Sequence, residues 1–324
     1  MEHRVAVIGA GLIGRAWSIV FARSGYEVRL YDSAKQVRDA VMLRLEATLA
    51  DLEAMALIPV HEKTVILSRV SIVDALADAV VGVPYVQEAI QETLEAKQSI
   101  FGQIERLAES ATILASSSSA LLPSQIFSHM QHKGRCVVVH PVNPPFLVPF
   151  VEIVPDENTA STTVQVVKDL MARIKQQPIV LKREYPGFVL NRLQVALVNE
   201  AISIVQQGIA SVADVDDAVK FGLGRRWAFM GPFETIDLNA PGGIRDFLER
   251  FESMYLLAKE FHAMAPFSPE LLAQLEMARR NALPLSQLEN RMEWRDQELM
   301  RVTKLFLDDP PPQEAPSRRR SSKA

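Results

Sequence analysis

A single cysteine, Cys136, serves all 324 residues of this chain, and it lies inside an apolar run. An intramolecular disulfide is therefore excluded, a reducing compartment is expected, and the thiol reads as structural. Long apolar runs are missing as well: no segment has the roughly 20 consecutive apolar residues that a membrane-crossing helix needs. The start, Met1-Glu2-His3-Arg4, passes straight into strand-like sequence without the charged and apolar regions of a signal peptide, so a cytoplasmic protein is expected. A basic excess is absent too. With 35 Lys and Arg against 39 Asp and Glu, the formal net charge of −4 leaves no electrostatic footprint for nucleic acid or an anionic membrane. No internal repeat is evident, and no metal site is called for.

What is present is an ordered alternation. Apolar, strand-like runs at 5–8, 28–32, 70–73, 85–89, 112–115, 136–140, 150–154 and 178–181 are separated by helical patterns such as 12–24, 34–57 and 93–109. Short buried strands alternating with helices predict an α/β fold, a doubly wound, mainly parallel sheet of the Rossmann type. After Pro186-Gly187 the strand signal disappears and helical patterns follow one another over 188–207, 212–221, 244–264 and 269–280. The predicted division is a sheet domain over 1–185, an all-α domain over 186–307 and a disordered, proline-rich tail over 308–324. The apolar faces of the second group need a partner surface, and a homodimer formed through them is expected.

Gly9-Ala10-Gly11-Leu12-Ile13-Gly14 follows the first strand and opens the first helix. That context turns a weak glycine pattern into a dinucleotide fingerprint. Gly9 permits the tight turn, Gly11 lets backbone approach a pyrophosphate, and Gly14 allows the helix to pack on the strand, while Leu12 and Ile13 begin the helix whose amides face anionic oxygens. Asp32 ends the second strand, 23 residues after Gly9, where a carboxylate accepts from an adenosine ribose and repels a 2′-phosphate. The expected cofactor is NAD.

His140 closes the run Cys136-Val137-Val138-Val139 at the start of Pro141-Val142-Asn143-Pro144-Pro145, and Glu152 stands alone in Phe150-Val151-Glu152-Ile153-Val154. Open α/β sheets bind ligands at the carboxyl ends of their strands, which is where this reading puts His140. A carboxylate within a buried strand must find a partner, and the imidazole is the obvious one. A neutral imidazole suits proton abstraction at neutral pH, and an adjacent acid fixes its tautomer and stabilises the imidazolium, as in a catalytic triad. Ser116-Ser117-Ser118-Ser119 ends another strand, where it is either a hydroxyl donor to substrate or an ordinary polar turn.

In order, the glycine loop, Ala115-Ser116-Ser117-Ser118-Ser119-Ala120-Leu121, His140-Pro141-Val142-Asn143-Pro144, Glu152 and Pro186-Gly187-Phe188-Val189-Leu190-Asn191-Arg192 resemble the 3-hydroxyacyl-CoA dehydrogenase superfamily. Within it, Gly231-Pro232-Phe233-Glu234-Thr235, Leu238-Asn239-Ala240 and Trp294-Arg295-Asp296 are most similar to the λ-crystallin/L-gulonate 3-dehydrogenase branch. The resemblance implies that His140 is the general base with Glu152 as partner, that Ser119 and Asn191 bind the reacting oxygen, and that Glu92 and Lys97 contact the nicotinamide end of NAD. Taken without the family, Glu92 is a helix-start carboxylate and Lys97 a solvated helix residue.

Two departures from the acyl-CoA enzymes suggest a smaller, free acid. Those enzymes carry a lysine-rich stretch where this chain has Glu46, Asp51 and Glu53, and small residues where it has Arg225-Arg226. Arginine suits bidentate carboxylate recognition, so Arg226, which matches an arginine of the gulonate-type branch, is the expected anchor for a substrate carboxylate. The expected activity is NAD-dependent oxidation of the 3-hydroxyl of L-gulonate or a short 3-hydroxy acid. The alternatives are an (S)-3-hydroxyacyl-CoA dehydrogenase and an NAD-binding, crystallin-like structural protein.

Overall fold

The computed structural model describes residues 3–254 and 269–308. The end of the helix expected over 244–264 and nearly all of the tail expected over 308–324 lie outside them. The first half runs β1 (Arg4–Ile8), α1 (Leu12–Arg23), β2 (Glu27–Tyr31), α2 (Lys35–Ala54), α3 (Glu62–Ser68), β3 (Val70–Ile72), α4 (Leu76–Val80), β4 (Tyr85–Glu88), α5 (Leu94–Leu107), β5 (Ile113–Ser116), α6 (Pro123–Ile126), β6 (Cys136–Pro141), β7 (Phe150–Val154), α7 (Ser161–Arg173) and β8 (Gln177–Val180). Eight strands form one sheet in the order β3-β2-β1-β4-β5-β6-β7-β8. Every neighbouring pair is parallel except β6 and β7, which run antiparallel. The expected mainly parallel, doubly wound sheet is thus present, and the order reverses between β1 and β4, which opens the crevice where such sheets take ligands.

The strands read as unbroken apolar runs because both faces of the sheet are covered. Side chains alternate along β1, so Val5 and Val7 enter one core with Trp17 and Phe21 of α1. Ala6 and Ile8 enter the other core, with Phe101 and Ile104 of α5. Phe21 and Phe101 are fully buried; each such side chain stabilises the fold by about 1.5–3 kcal/mol. In β6 and β7, Val139 and Ile153 face the α1 side, while Val138 and Val154 face the α5 side. By the same alternation His140 and Glu152 share the α5 face.

Helices α8 (Leu190–Gln206), α9 (Val212–Asp217), α10 (Gly224–Trp227), α11 (Pro232–Asp237), α12 (Gly243–Arg250), α13 (Pro269–Ala282) and α14 (Leu288–Asp308) follow, with no strand among the described residues. The α9 start is fixed by a reciprocal cap: Ser211 Oγ accepts from Asp214 N and donates to the Asp214 carboxylate at 2.6 Å. A π-helical segment, Ala218–Leu223, joins α9 to α10. The chain forms two compact units, Met1–Asn191 with Asp296–Asp308 and, separately, Arg192–Arg295. The sequence pattern alone assigns all of 186–307 to the second domain. In the structure the end of α14 joins the first unit, because Met300 is buried in its core, Leu299 packs beside it and Thr303 Oγ1 donates to Leu147 O at 3.2 Å.

Candidate active site

The three glycines of the loop after β1 have three different reasons to be glycine. Gly9 has φ +103°, and a Cβ there would lie 2.5 Å from Ala89 O, the backbone just past β4. At Gly14 a Cβ would sit 1.8 Å from Gly9 O, so only glycine lets α1 close onto the loop. Around Gly11 nothing lies within 4 Å of the Cβ position. Its bareness serves no contact within the chain and leaves a cradle beside an N-terminus of α1 that no side chain caps. Leu12 is exposed at that mouth, while Ile13 packs on the core. Asp32 binds the loop from the next strand: Oδ2 accepts from Ala10 N at 2.8 Å and Oδ1 from Ala34 N at 2.9 Å. An open, amide-lined cradle bordered by an acid fits a dinucleotide pyrophosphate and ribose.

Beside this cradle the four serines that close β5 and follow it separate into four functions. Ser116 Oγ donates to Glu88 Oε2 at 2.5 Å, and Ser117 Oγ accepts from Trp17 Nε1 and Gln87 Nε2 at 3.1 and 2.8 Å. Ser118 Oγ donates to Glu92 Oε1 at 2.5 Å. Ser119 is held by its backbone, its N–H donating to Glu92 Oε1 at 2.9 Å and its carbonyl accepting from Asn191 Nδ2 at 2.8 Å. The stretch is therefore a built turn with a separate fixing point for each serine.

Lys97 departs from the solvated helix position that its sequence context suggests. It is 1% exposed, and its ammonium lies 2.7 Å from Glu88 Oε1, 3.0 Å from Glu88 Oε2 and 3.2 Å from Glu92 Oε2. The helix pattern shows only the chain's own turn, whereas the partners of Lys97 come from the end of β4 and the segment after it. Burial would raise the Glu92 carboxyl, but hydrogen bonds from Ser118, Ala120 and Lys97 outweigh it and hold the group below its ordinary range. At Glu88 the balance reverses. Burial pushes that carboxyl up, against donors from Lys97, Ser116 and Ile90.

On the α5 face, His140 and Glu152 are direct partners in the β6–β7 register. His140 Nδ1 lies 2.7 Å from Glu152 Oε2, and both residues are buried. The second oxygen, Oε1, accepts from Val189 N at 2.8 Å and Leu190 N at 3.1 Å, the amides that open α8. Burial would raise Glu152, yet the bonds from His140, Leu190 and Val189 prevail and keep its carboxyl below the usual range. An ionised carboxylate can only accept, so Nδ1 carries a proton, and in the neutral imidazole the lone pair is then on Nε2. Phe188 packs on the ring at 5.5 Å between centroids. Asn191, one residue into α8, is brought to Ser119 by the bond given above.

A further polar residue of this region has no individual signal in the sequence. Asn143, three positions after His140, has a buried Oδ1 with no hydrogen-bond partner. Buried amide oxygens are ordinarily paired, so this orphan fits a polar group of a bound cofactor or substrate. The available signal was an asparagine set among prolines directly after the candidate base. Arg226 lies exposed on α10 in the second unit, as does Arg225, which rests over the Phe221 ring at 5.5 Å.

Residues 4–184 match the family model for the 3-hydroxyacyl-CoA dehydrogenase NAD binding domain, and 187–282 match that for the 3-hydroxyacyl-CoA dehydrogenase C-terminal domain. The chain is 42% identical to a λ-crystallin homolog of Bos taurus over 308 residues, covering 93% of this chain and 95% of that one. It is 34% identical to an L-carnitine dehydrogenase of a Pseudomonas species over 247 residues, 76% of each. Among solved structures, it is similar to 5-formyl-3-hydroxy-2-methylpyridine 4-carboxylic acid 5-dehydrogenase, an NAD+-dependent dismutase, with a TM-score of 0.80 and 25% identity over 96% of this chain and all of that one. With a glycine cradle, an acid at its border and a buried histidine–carboxylate pair in one sheet, the chain belongs to the 3-hydroxyacyl-CoA dehydrogenase family and is an NAD-dependent oxidoreductase.

Proposed function

We infer that this enzyme oxidises the 3-hydroxyl of a small free hydroxy acid, L-gulonate or a short 3-hydroxy acid, to the 3-oxo acid. The observation that carries the reading is the buried His140–Glu152 pair, which leaves Nε2 of the neutral ring as a proton acceptor at the end of β6. NAD, when bound along the Gly9–Gly14 loop with Asp32 at its ribose, supplies the hydride acceptor. His140 takes the hydroxyl proton at Nε2, and Glu152 stabilises the resulting imidazolium through Nδ1. Asn191 spends one amide proton on Ser119 O. Its second proton and the Ser119 hydroxyl, which no described residue engages, polarise the substrate oxygen. Glu92 and Lys97 stand at the nicotinamide side, and Arg226 anchors the substrate carboxylate.

The free-acid reading draws on relatives whose names specify carboxylic acids without CoA, carnitine and the pyridine carboxylic acid above. It also draws on Glu46, Asp51 and Glu53, of which Asp51 and Glu53 stand near the end of α2, where a polyanionic thioester would be repelled. A second copy covering the exposed Phe229, Phe233 and Leu238 of the second unit belongs to the same reading, which sedimentation checks.

The deciding experiment follows NADH formation across L-gulonate, short 3-hydroxy acids and their CoA thioesters. Turnover of a free acid, lost in His140→Ala by about 10²–10⁴-fold while NADH still binds, is the expected result. Turnover confined to thioesters would make the enzyme an acyl-CoA dehydrogenase. No turnover of either class would leave an NAD-binding structural protein.

A further inference from the structure

We propose that Phe188 is a positioning residue for the acid–imidazole pair: its buried ring sets the direction of the His140 imidazole, and its left-handed backbone delivers the amides that hold Glu152. The proposal rests on the reading above in one respect: that His140 takes the substrate proton.

Among the described residues, four other than glycine have a positive φ: Ala56 at 56°, His61 at 75°, Lys175 at 61° and Phe188 at 50°. The first three are exposed, whereas Phe188 is 2% exposed. This region brings the Cβ of an L-residue too close to backbone oxygen, and a bulky residue stays there only where its surroundings over-determine it. The local turn does not ask for it. Tyr185-Pro186-Gly187-Phe188 has proline and then glycine at its centre, Gly187 at φ +76° and Phe188 N donating to Tyr185 O at 3.0 Å, the pattern of a type II turn. Such a turn needs a positive φ at Gly187 alone. Phe188 carries the left-handed path one residue further.

That extra residue brings the next stretch of chain onto the site. The Phe188 ring enters the core on the α5 side and packs on His140, 5.5 Å between centroids and tilted by 56°. Val189 N and Leu190 N then converge on Glu152 Oε1 at 2.8 and 3.1 Å, and Asn191 Nδ2 reaches Ser119 O at 2.8 Å. Four consecutive residues thus touch three members of the site. The imidazole itself makes one polar contact with a described residue, the 2.7 Å bond from Nδ1 to Glu152. A ring held through a single bond can pivot about it, and Nε2, at the far side, swings furthest. The tilted face of Phe188 closes that freedom. A displacement near 1 Å in a reacting group costs about 10²-fold in rate.

The test compares Phe188→Leu, Phe188→Ala and Phe188→Gly. NADH affinity is read by fluorescence titration, kcat at saturating NAD with L-gulonate and 3-hydroxybutyrate, and the ring 15N shifts of His140 in the free protein, assigned by their loss in His140→Ala. All three variants should lower kcat, the smaller two by about 10²-fold, with the Kd for NADH within twofold of wild type. The His140 shifts should move from the Nδ1-protonated form toward a mixture of tautomers. Phe188→Leu keeps most of the apolar volume and reads the loss of the ring face even where the smaller variants do not fold. Glycine carries no Cβ at positive φ, so Phe188→Gly should melt about 2–4 °C above Phe188→Ala, the reverse of the usual order of these two residues. Wild-type kcat and wild-type His140 shifts in Phe188→Leu overturn the proposal, as does a tenfold or larger loss of NADH affinity with unchanged kcat. Phe188→Ala melting at or above Phe188→Gly overturns its backbone half. Should wild type oxidise neither acid, the functional reading falls, and the His140 shifts and the melting order still decide what Phe188 does.

Discussion

Replacing Glu152 with glutamine changes one oxygen to an amide nitrogen and disturbs three bonds at once. In the native structure the carboxylate accepts from His140 Nδ1 at 2.7 Å, Val189 N at 2.8 Å and Leu190 N at 3.1 Å, with no exposure to water. A glutamine retains one acceptor oxygen. If that oxygen serves the two amides of α8, its NH2 group faces the Nδ1 proton; if it serves His140, the NH2 group faces two backbone donors. Either way a charge-assisted bond worth about 1.5–3 kcal/mol is lost and a buried donor is left unpaired at about 1–3 kcal/mol. Tautomer exchange at His140 recovers part of the first arrangement, so a net cost of about 3 kcal/mol is expected. For a domain of this size class that lowers Tm by roughly 6–12 °C. The sign of the pH dependence is also set. Glu152 titrates below its ordinary 4.5 when folded, so just under that pH the unfolded chain binds more protons. The contribution is complete above about 4.5 and is lost as pH falls through the lower folded value, and the glutamine variant lacks this slope. Calorimetry on both proteins across that acid window tests the reasoning. A Glu152→Gln protein melting within a degree of wild type, with the same acid slope, would refute it.

The glycine loop offers a contrast between packing and binding. Gly14→Ala places a Cβ 1.8 Å from Gly9 O and should strongly destabilise the fold, whereas Gly11→Ala meets nothing within 4 Å and should change stability by no more than about 1 kcal/mol. Gly11→Ala should nonetheless weaken NADH about tenfold, the equivalent of 1.4 kcal/mol, as read by titration beside a melting curve. Burial pushes the Cys136 thiol up to about 12. It should therefore resist a thiol reagent at neutral pH in the native protein and react promptly once denatured; rapid native labelling would contradict that burial.

The parts of the site that were legible in the sequence are those fixed by local pattern. Glycine spacing directly after a strand forces the loop, the acid ending the second strand falls beside it, and a lone carboxylate in an apolar run demands a buried partner. Glu152 and His140 meet for that reason. What stayed hidden depends on chain segments far apart in sequence. An apolar run does not encode its direction, so the antiparallel sense of β7 was not readable. Nor does a helix pattern show what covers it, which is why Lys97 reads as solvated and Glu88 carries no signal at all. Asn143 stands in a motif already marked, yet only its unpaired oxygen singles it out. The return of 296–308 to the first unit depends on Leu299, Met300 and Thr303 finding a surface laid down by residues more than a hundred positions earlier.

Because His140 and Glu152 meet as register partners across two hydrogen-bonded strands, the ladder and not the connecting segment fixes their distance. The loop over 142–149 can gain or lose length at its exposed Pro149 side without separating the pair. A one-residue slip of β7 would do the opposite, turning Glu152 to the face now held by Val151 and Ile153 and stranding the imidazole. Tolerance to insertion should thus change abruptly at Phe150, from the exposed end of the loop at Pro149 to a strand in which a single added residue abolishes the acid–imidazole pair.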